Sequence, residues 1–351
     1  MNILKSILLR YRKYINRPPK FEIDHSSIEG ITITYLSPLS DHKGNGASGG
    51  VKVIYKQSDA INNLLFENFQ STVLHPDNLN FSCTWFDCST NFKRNFNFNI
   101  NKEFVIIPEF WAERYAPQCK SLGIKYGIFV QNGYTFGDVD STLTISTYYD
   151  ADIIITISDD TTDCCKLAFP TLSSKIMRMH YFIDSNKFIP DLQKGNIITY
   201  MPRKLPRHSR LVIFFLEQHL PEHWKIIPIN NMTEKEVIET LQKSKIFLSF
   251  SELEGWGLPP IEAGLTGNKV IGYTGEGGKE YWQPPIFSEI MMGDIKSFVK
   301  EIISEIIKFD TNTGYNIDKT AINKLSDLYS KKHENNDLLK LSKKIEQALL
   351  L

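Results

Sequence analysis

The sequence predicts an α/β protein made of two Rossmann-like parallel-sheet lobes facing a cleft, and three observations carry that expectation. Its 351 residues exceed what one ordinary core organises and suit two α/β domains. Short β-branched and aromatic runs alternate with helix-length segments, twice over, as parallel strands covered on both faces require. Between the two series, residues 181–190 (YFIDSNKFIP) follow neither period and read as an interdomain connection.

In the first series, residues 30–36 (GITITYL) read as a strand, followed by a small-residue loop over 44–50 (GNGASGG), a helix over 51–69 and a strand over 71–74. Residues 104–107 form a short buried strand closed by Pro108, and residues 126–130 another closed by Gln131-Asn132-Gly133. A third strand, 153–157, leads into a Ser-Asp-Asp-Thr cap and a helix near 162–168. Residues 77–103, rich in Asn, Phe and Ser, lack periodicity and read as an irregular insertion. The second series places strands at 196–200, 224–229, 245–250 and 269–273. Its helices fall at 210–219, 233–243 and 295–309, with a helix start at 260–264. Thr233 with Glu236 three residues on is a capping-box pattern. The last roughly 30 residues carry a helical period.

Composition narrows the function classes. Forty basic residues balance forty acidic ones, which argues against a bulk electrostatic grip on nucleic acid. Cys83, Cys88, Cys119, Cys164 and Cys165 lack zinc-finger spacing and read as free thiols in a reducing cytosol. No apolar run approaches the ~20 residues of a membrane span. The apolar stretch at residues 7–9 is too short for a signal-peptide core. The first twenty residues carry Lys5, Arg10, Arg12, Lys13, Arg17 and Lys20 and no acid, while Leu4, Ile7, Leu8, Tyr11 and Ile15 share one helical face. Such a helix either lies in an anionic membrane surface or packs its stripe on its own lobe. The expected location is cytoplasmic, with attachment at the inner membrane face under the first alternative.

Residues 249–280 (SFSELEGWGLPPIEAGLTGNKVIGYTGEGGKE) hold the chemistry. They spell a buried strand, a glycine turn and a helix start. Gly255 and Gly257 bracket Trp256, so backbone can approach a ligand closely. Pro259 or Pro260 stands where the first helical position is expected, and free N–H groups there suit a diphosphate. Glu254 and Glu262 would repel phosphate and should instead accept hydrogen bonds from sugar hydroxyls.

Glu254-Gly-Trp-Gly-Leu-Pro-Pro-Ile-Glu262 is similar to the E-x7-E signature of retaining GT-B glycosyltransferases, above all family 4, and Ser251, Ala263, Gly267 and Gly277-Gly278 match as well. The resemblance is firm over residues 181–310 and faint over 30–180. It implies a GT-B fold. It also implies that Glu254 contacts the transferred sugar, that Glu262 binds the nucleotide ribose, and that Gly255, Trp256, Gly257 and Leu258 belong to the donor site. Ser48-Gly49-Gly50-Val51 follows the first strand, where that family places a glycine-rich loop against donor phosphates and acceptor. Met201-Pro202-Arg203-Lys204 follows the second lobe's first strand, where the family carries an Arg and, further on, a Lys for the diphosphate. Here the two cations are adjacent, so Arg207 or Arg210 is an alternative for the Lys role. The family's N-terminal-lobe His has no counterpart: Gln131 and Asn132 follow the strand, and with Glu109 they are the candidates for contacts to sugar or acceptor.

The implied organisation is a basic N-terminal helix (1–20), an acceptor-side lobe (21–182), a linker (183–190), a donor lobe (191–312) and C-terminal helices (313–351) that are candidates for a return to the first lobe. The implied function is hexose transfer from a nucleotide-diphosphate sugar to a glycan or lipid-linked saccharide acceptor. Configuration is retained, no cofactor or metal is required, and the setting is bacterial surface polysaccharide or glycoconjugate synthesis. Asp138-Val139-Asp140 and Asp150-Ala151-Asp152 both spell D-x-D, yet neither ends a strand as a metal–diphosphate pair should. Two alternatives stand beside transfer: a catalytically silent GT-B binding module, and a nucleotide-sugar epimerase.

Overall fold

β-Branched runs become parallel strands in both halves of the chain. The structure is a computed structural model that describes residues 18–27, 29–43, 47–65, 67–138, 141–191, 193–311 and 318–351. The basic helix expected before residue 18, residues 44–46 of the glycine-rich loop and residues 139–140 of the first D-x-D lie outside them.

In the first lobe, β2 (Ile31–Leu36), β3 (Phe69–Leu74), β5 (Glu103–Pro108), β6 (Lys125–Val130), β7 (Ile153–Thr156) and β8 (Ile176–Arg178) form a six-stranded sheet in the order β3-β2-β5-β6-β7-β8. Every pairing in it is parallel. All six residues of β5 are buried, as expected of a central strand covered on both faces. The second lobe sets β9 (Ile197–Tyr200), β10 (Lys225–Pro228), β11 (Ile246–Glu254), β12 (Lys269–Glu276) and β13 (Phe287–Glu289) in the order β10-β9-β11-β12-β13, also all parallel. A short parallel pair, β1 (Glu22–Ile23) with β4 (Asn97–Phe98), stands apart. Both large sheets are doubly wound with the second strand outside the first. Their order therefore reverses between β2 and β5, and again between β9 and β11. Ligands of such sheets bind beyond the carboxyl ends of the strands at that switch.

The helices are α1 (Gly49–Leu64), α2 (Ala112–Leu122), α3 (Ser141–Asp150), α4 (Asp159–Ala168), α5 (Pro206–Glu217), α6 (Glu234–Lys243), α7 (Leu258–Leu265), α8 (Ile295–Asp310), α9 (Lys319–Leu328) and α10 (Lys331–Leu350). Helix α1 ends at Leu64, earlier than its pattern suggested, because Phe69 begins the next strand. Helices α2 and α3 were not read from the sequence. Pro117 sits inside α2, and α3 is built from Ser, Thr, Ile and Tyr, which carry weak helix propensity. The capping boxes at Ser158 and Thr233 both form. The insertion over 77–103 is mostly irregular and reaches the second lobe, where the Glu234 N–H donates to the Trp85 carbonyl at 2.9 Å.

The C-terminal helix lies against the first lobe. His180 donates its backbone N–H to Asp337 Oδ2 at 3.0 Å, and the Phe182 N–H donates to Glu334 Oε1 at 3.1 Å. Burial pushes the Glu334 carboxyl up to about 7. All five cysteines are free thiols. No helix among the described residues is long and apolar enough to cross a membrane.

Candidate active site

The loops beyond the two switch points meet in one cleft of about 400 Å³ between the lobes. From the second lobe come Arg203 and Lys204, after β9, and the segment from Glu254, the last residue of β11, to Leu258. From the first lobe come Gly49 and Gly50, at the start of α1, and Gln131 and Asn132, after β6. Trp85, Met232, Val237 and Ile238 give one end of the cleft an apolar lining.

Helix α7 starts at the cleft. Its N-cap, Gly257, has φ +84°, a left-handed conformation that favours glycine, and proline occupies the first turn. Glu254 stands just before that turn and Glu262 on the helix. Each carboxylate meets a lysine. Lys204 Nζ donates to Glu254 Oε1, at a pair of partly exposed side chains. Lys52 Nζ, from α1 of the opposite lobe, lies 2.8 Å from Glu262 Oε1 and 2.7 Å from Glu234 Oε1, all three side chains being about 10% exposed or less. Burial alone would lower the Lys52 pKa, but Glu262 and Glu234 outweigh it and hold the ammonium above its ordinary value. Burial likewise opposes ionisation of Glu234, and Lys52 with Lys187 overcomes it, so that carboxyl sits below its ordinary value.

Gly255 and Gly49 act between the lobes, and Gly50 acts within the first. A Cβ on Gly255 would sit 2.0 Å from the Gln131 carbonyl oxygen, and one on Gly50 would sit 2.6 Å from Gln131 Oε1. A Cβ on Gly49 would meet Leu258 Cδ1 at 3.0 Å. The close approach expected between Gly255 and a ligand is thus an approach of one lobe's backbone to the other's. Polar bonds complete the seam. Asn132 Nδ2 donates to the Leu253 carbonyl at 3.0 Å and Arg203 Nη2 to the Ala47 carbonyl at 3.0 Å across it, while within the first lobe Gln131 Nε2 donates to the Gly50 carbonyl at 3.0 Å. The Ser158 hydroxyl donates to the Gly255 carbonyl.

No protein-family model matches the sequence, and no curated protein sequence matches it. Solved structures do. Sucrose-phosphate synthase from Thermosynechococcus elongatus superposes with a TM-score of 0.68 at 11% identity, over 91% of this chain and 100% of that one. Anabaena HepE in complex with UDP-glucose gives 0.62 at 10%, over 89% and 99%. The catalytic domain of Arabidopsis thaliana starch synthase IV, bound to ADP and acarbose, gives 0.59 at 9%, over 92% and 100%. The fold is GT-B. At these identities the likeness establishes fold alone.

Within this GT-B frame the remaining candidates divide. Glu109 stands behind the cleft wall. Its Oε1 accepts the Asn132 backbone N–H at 3.1 Å, and its Oε2 is buried without a partner. Burial pushes this carboxyl up to about 7. Arg207 and Arg210 are exposed and do not line the cleft, so the alternative for the Lys role finds no geometric support there. The Trp256 ring is buried, and its Nε1 donates to Glu280 Oε1 at 3.0 Å and to the Tyr329 hydroxyl at 3.2 Å. Glu280 also takes Arg178 Nη2 at 3.0 Å and the Asp159 N–H at 3.1 Å from the first lobe. Asp150 pairs with Lys120 at 2.7 Å, and Asp152 accepts the Tyr126 N–H at 3.1 Å, so the second D-x-D serves structural partners. Among the described residues, no three His, Cys, Asp or Glu side chains are grouped as a metal site.

Lys52, Glu234, Trp85 and Glu280 were missed from the sequence. Lys52 left one signal, a lone charge inside the apolar run Val51-Lys-Val-Ile-Tyr55 of a helix. The others left none, because their partners come from remote segments.

Proposed function

We propose that this protein is a glycosyltransferase that moves a hexose from a nucleoside diphosphate donor held in the interlobe cleft. One observation carries the reading. The cations after β9 and the carboxylate-bracketed start of α7 stand at the switch point of the second lobe and face the first lobe across the cleft. The N–H groups at the start of α7, with Lys204 and Arg203, suit the diphosphate. The apolar end lined by Trp85, Met232 and Val237 suits a base. Glu262 accepts ribose hydroxyls and Glu254 those of the transferred sugar, as the family 4 resemblance implies.

Transfer retains configuration. The bond from the anomeric carbon to the departing phosphate oxygen breaks, the acceptor oxygen bonds that carbon on the same face, and the phosphate takes the acceptor proton. Catalysis consists of positioning and of stabilising leaving-group charge. Lys204 and Arg203 supply that positive charge, so no metal is required. Gln131 and Asn132 face the acceptor, a glycan or lipid-linked saccharide, and Glu109 holds their loop. The setting is cytoplasmic synthesis of surface polysaccharide, with residues 1–17 as an anionic-membrane contact.

Incubation with radiolabelled UDP-, GDP-, ADP- and dTDP-sugars, with and without saccharide acceptors, tests this. Label moving from one donor to an acceptor, undiminished by EDTA, is expected. An isomerised sugar without an acceptor product would mean an epimerase. Inertness with every donor would mean a binding module.

A further inference from the structure

Helix α5 presents an unpartnered face on the second lobe. Ser209, Val212 and Leu216 bury its inner side. Outside, Arg207, Arg210, Leu211 and Phe214 follow one another at helical spacing, with Phe215 beside them. Phe214 is 59% exposed and Phe215 45%. Arg210 is held in place, its Nε donating to the Pro206 carbonyl at 3.0 Å. The exposed Met291 and Met292 precede Gly293, at the helix end where His208 Nδ1 and the Tyr273 hydroxyl stand 3.2 Å apart. No acid occurs between Asp191 and Glu217, a stretch that holds Lys194, Arg203, Lys204, Arg207 and Arg210.

We propose that this face docks on an anionic bilayer, with the two phenylalanines entering the acyl boundary and the two arginines meeting headgroups. Charge selects the occupant. A second copy pairing face to face would bring Arg207 and Arg210 of both copies into one interface with Glu217 as the helix's single acid. Residues 1–17 are themselves basic, and the described chain begins on the first lobe, where Gln118 Nε2 donates to the Pro19 carbonyl at 3.1 Å. Aromatic side chains flanked by arginine fit the headgroup boundary, where apolar area and anionic charge act together. Helix α5 begins two residues after Lys204, so docking holds the end of the helix next to the cleft near the membrane. That consequence for a lipid-linked acceptor rests on the proposed function, whereas the docking itself does not.

Co-sedimentation of the full chain with phosphatidylcholine vesicles, with and without phosphatidylglycerol, over a salt series tests the proposal. Binding is expected only with phosphatidylglycerol and should weaken with salt. Arg207→Gln with Arg210→Gln should lower partitioning about thirtyfold at low salt, each cation near such a surface being worth about fivefold. Phe214→Ser with Phe215→Ser should lower partitioning too, with a thermal melt beside it to show that the variant is folded. Nucleotide-sugar binding measured on the phenylalanine variant keeps a failure of docking separate from a failure of the donor reading. Three results would overturn the proposal. The first is wild-type partitioning of both double variants, with loss only on deletion of residues 1–17. The second is a dimer by light scattering that the serine variant dissolves. The third is binding to polyglutamate without binding to vesicles.

Discussion

Lys52 and Lys204 each meet a carboxylate of the second lobe in the same cleft, yet their surroundings differ. Lys52 crosses between lobes to Glu262 and Glu234 with all three side chains nearly excluded from water, whereas Lys204 meets Glu254 with both side chains partly exposed. The buried trio cannot be disrupted cheaply, since removing one partner strands charge in a poor solvent. The exposed pair can open at little cost and release both groups to a ligand. Under the proposed function, which has the cleft bind and release a diphosphate, the two kinds are complementary: a fixed strut, and a pair that the ligand can replace.

The sharpest break in that comparison is stability. Lys52→Ala should cost about 3–5 kcal/mol in urea unfolding, because Glu234 and Glu262 lose their shared cation. Lys204→Ala should cost about 1 kcal/mol or less. Losses of similar size would remove the distinction between strut and exchangeable pair.

A smaller effect separates the two carboxylates by role. Glu262→Ala, which also removes one of the two carboxylates of Lys52, should weaken nucleoside diphosphate binding by about 1.5–3 kcal/mol in protein shown by circular dichroism to be folded, as loss of charge-assisted hydrogen bonds typically does. Glu254→Ala should leave that affinity nearly intact and lower turnover. Isothermal titration with the nucleoside diphosphate, paired with steady-state rates, checks both. Unchanged affinity in Glu262→Ala would remove the ribose assignment.

Glu109 gives the most specific effect. Its carboxyl, ordinarily near 4.5, is pushed up to about 7 by burial, so the folded state keeps a proton that the unfolded chain releases. The corresponding stability is fully present below about 4.5 and is lost as pH rises to about 7. Glu109→Gln should therefore flatten that part of the stability profile, gaining on the wild type above about 7 and not below about 4.5. A parallel profile for the variant, followed by chemical denaturation across pH, would place the titrating group elsewhere.

The two sides of the cleft were unequally legible in the sequence. The start of α7 could be read because its demands are local: a left-handed glycine at 257, proline in the first turn, and a buried apolar strand before them. The alternation of strands and helices was equally local, and it carried the two-lobed fold. Lys52 could not be placed, since Glu262 lies 210 residues away and only the packing of one lobe on the other brings them together. The purpose of Gly255 was also hidden, because the atom it must avoid is the carbonyl of Gln131. A glycine kept for a ligand and one kept for another lobe look alike in sequence. Trp85 was hidden inside an aperiodic stretch whose order is mostly tertiary.

The central claim is that the start of α7, with Arg203 and Lys204, holds the diphosphate of a nucleotide sugar. Its most direct test is calorimetric titration of UDP-, GDP-, ADP- and dTDP-sugars into the wild type and into Arg203→Ala with Lys204→Ala, with circular dichroism to confirm that the variant is folded. Saturable binding of at least one donor to the wild type, and none to the folded double variant, is expected. Equal binding by both proteins, or no donor bound by the wild type, would contradict it.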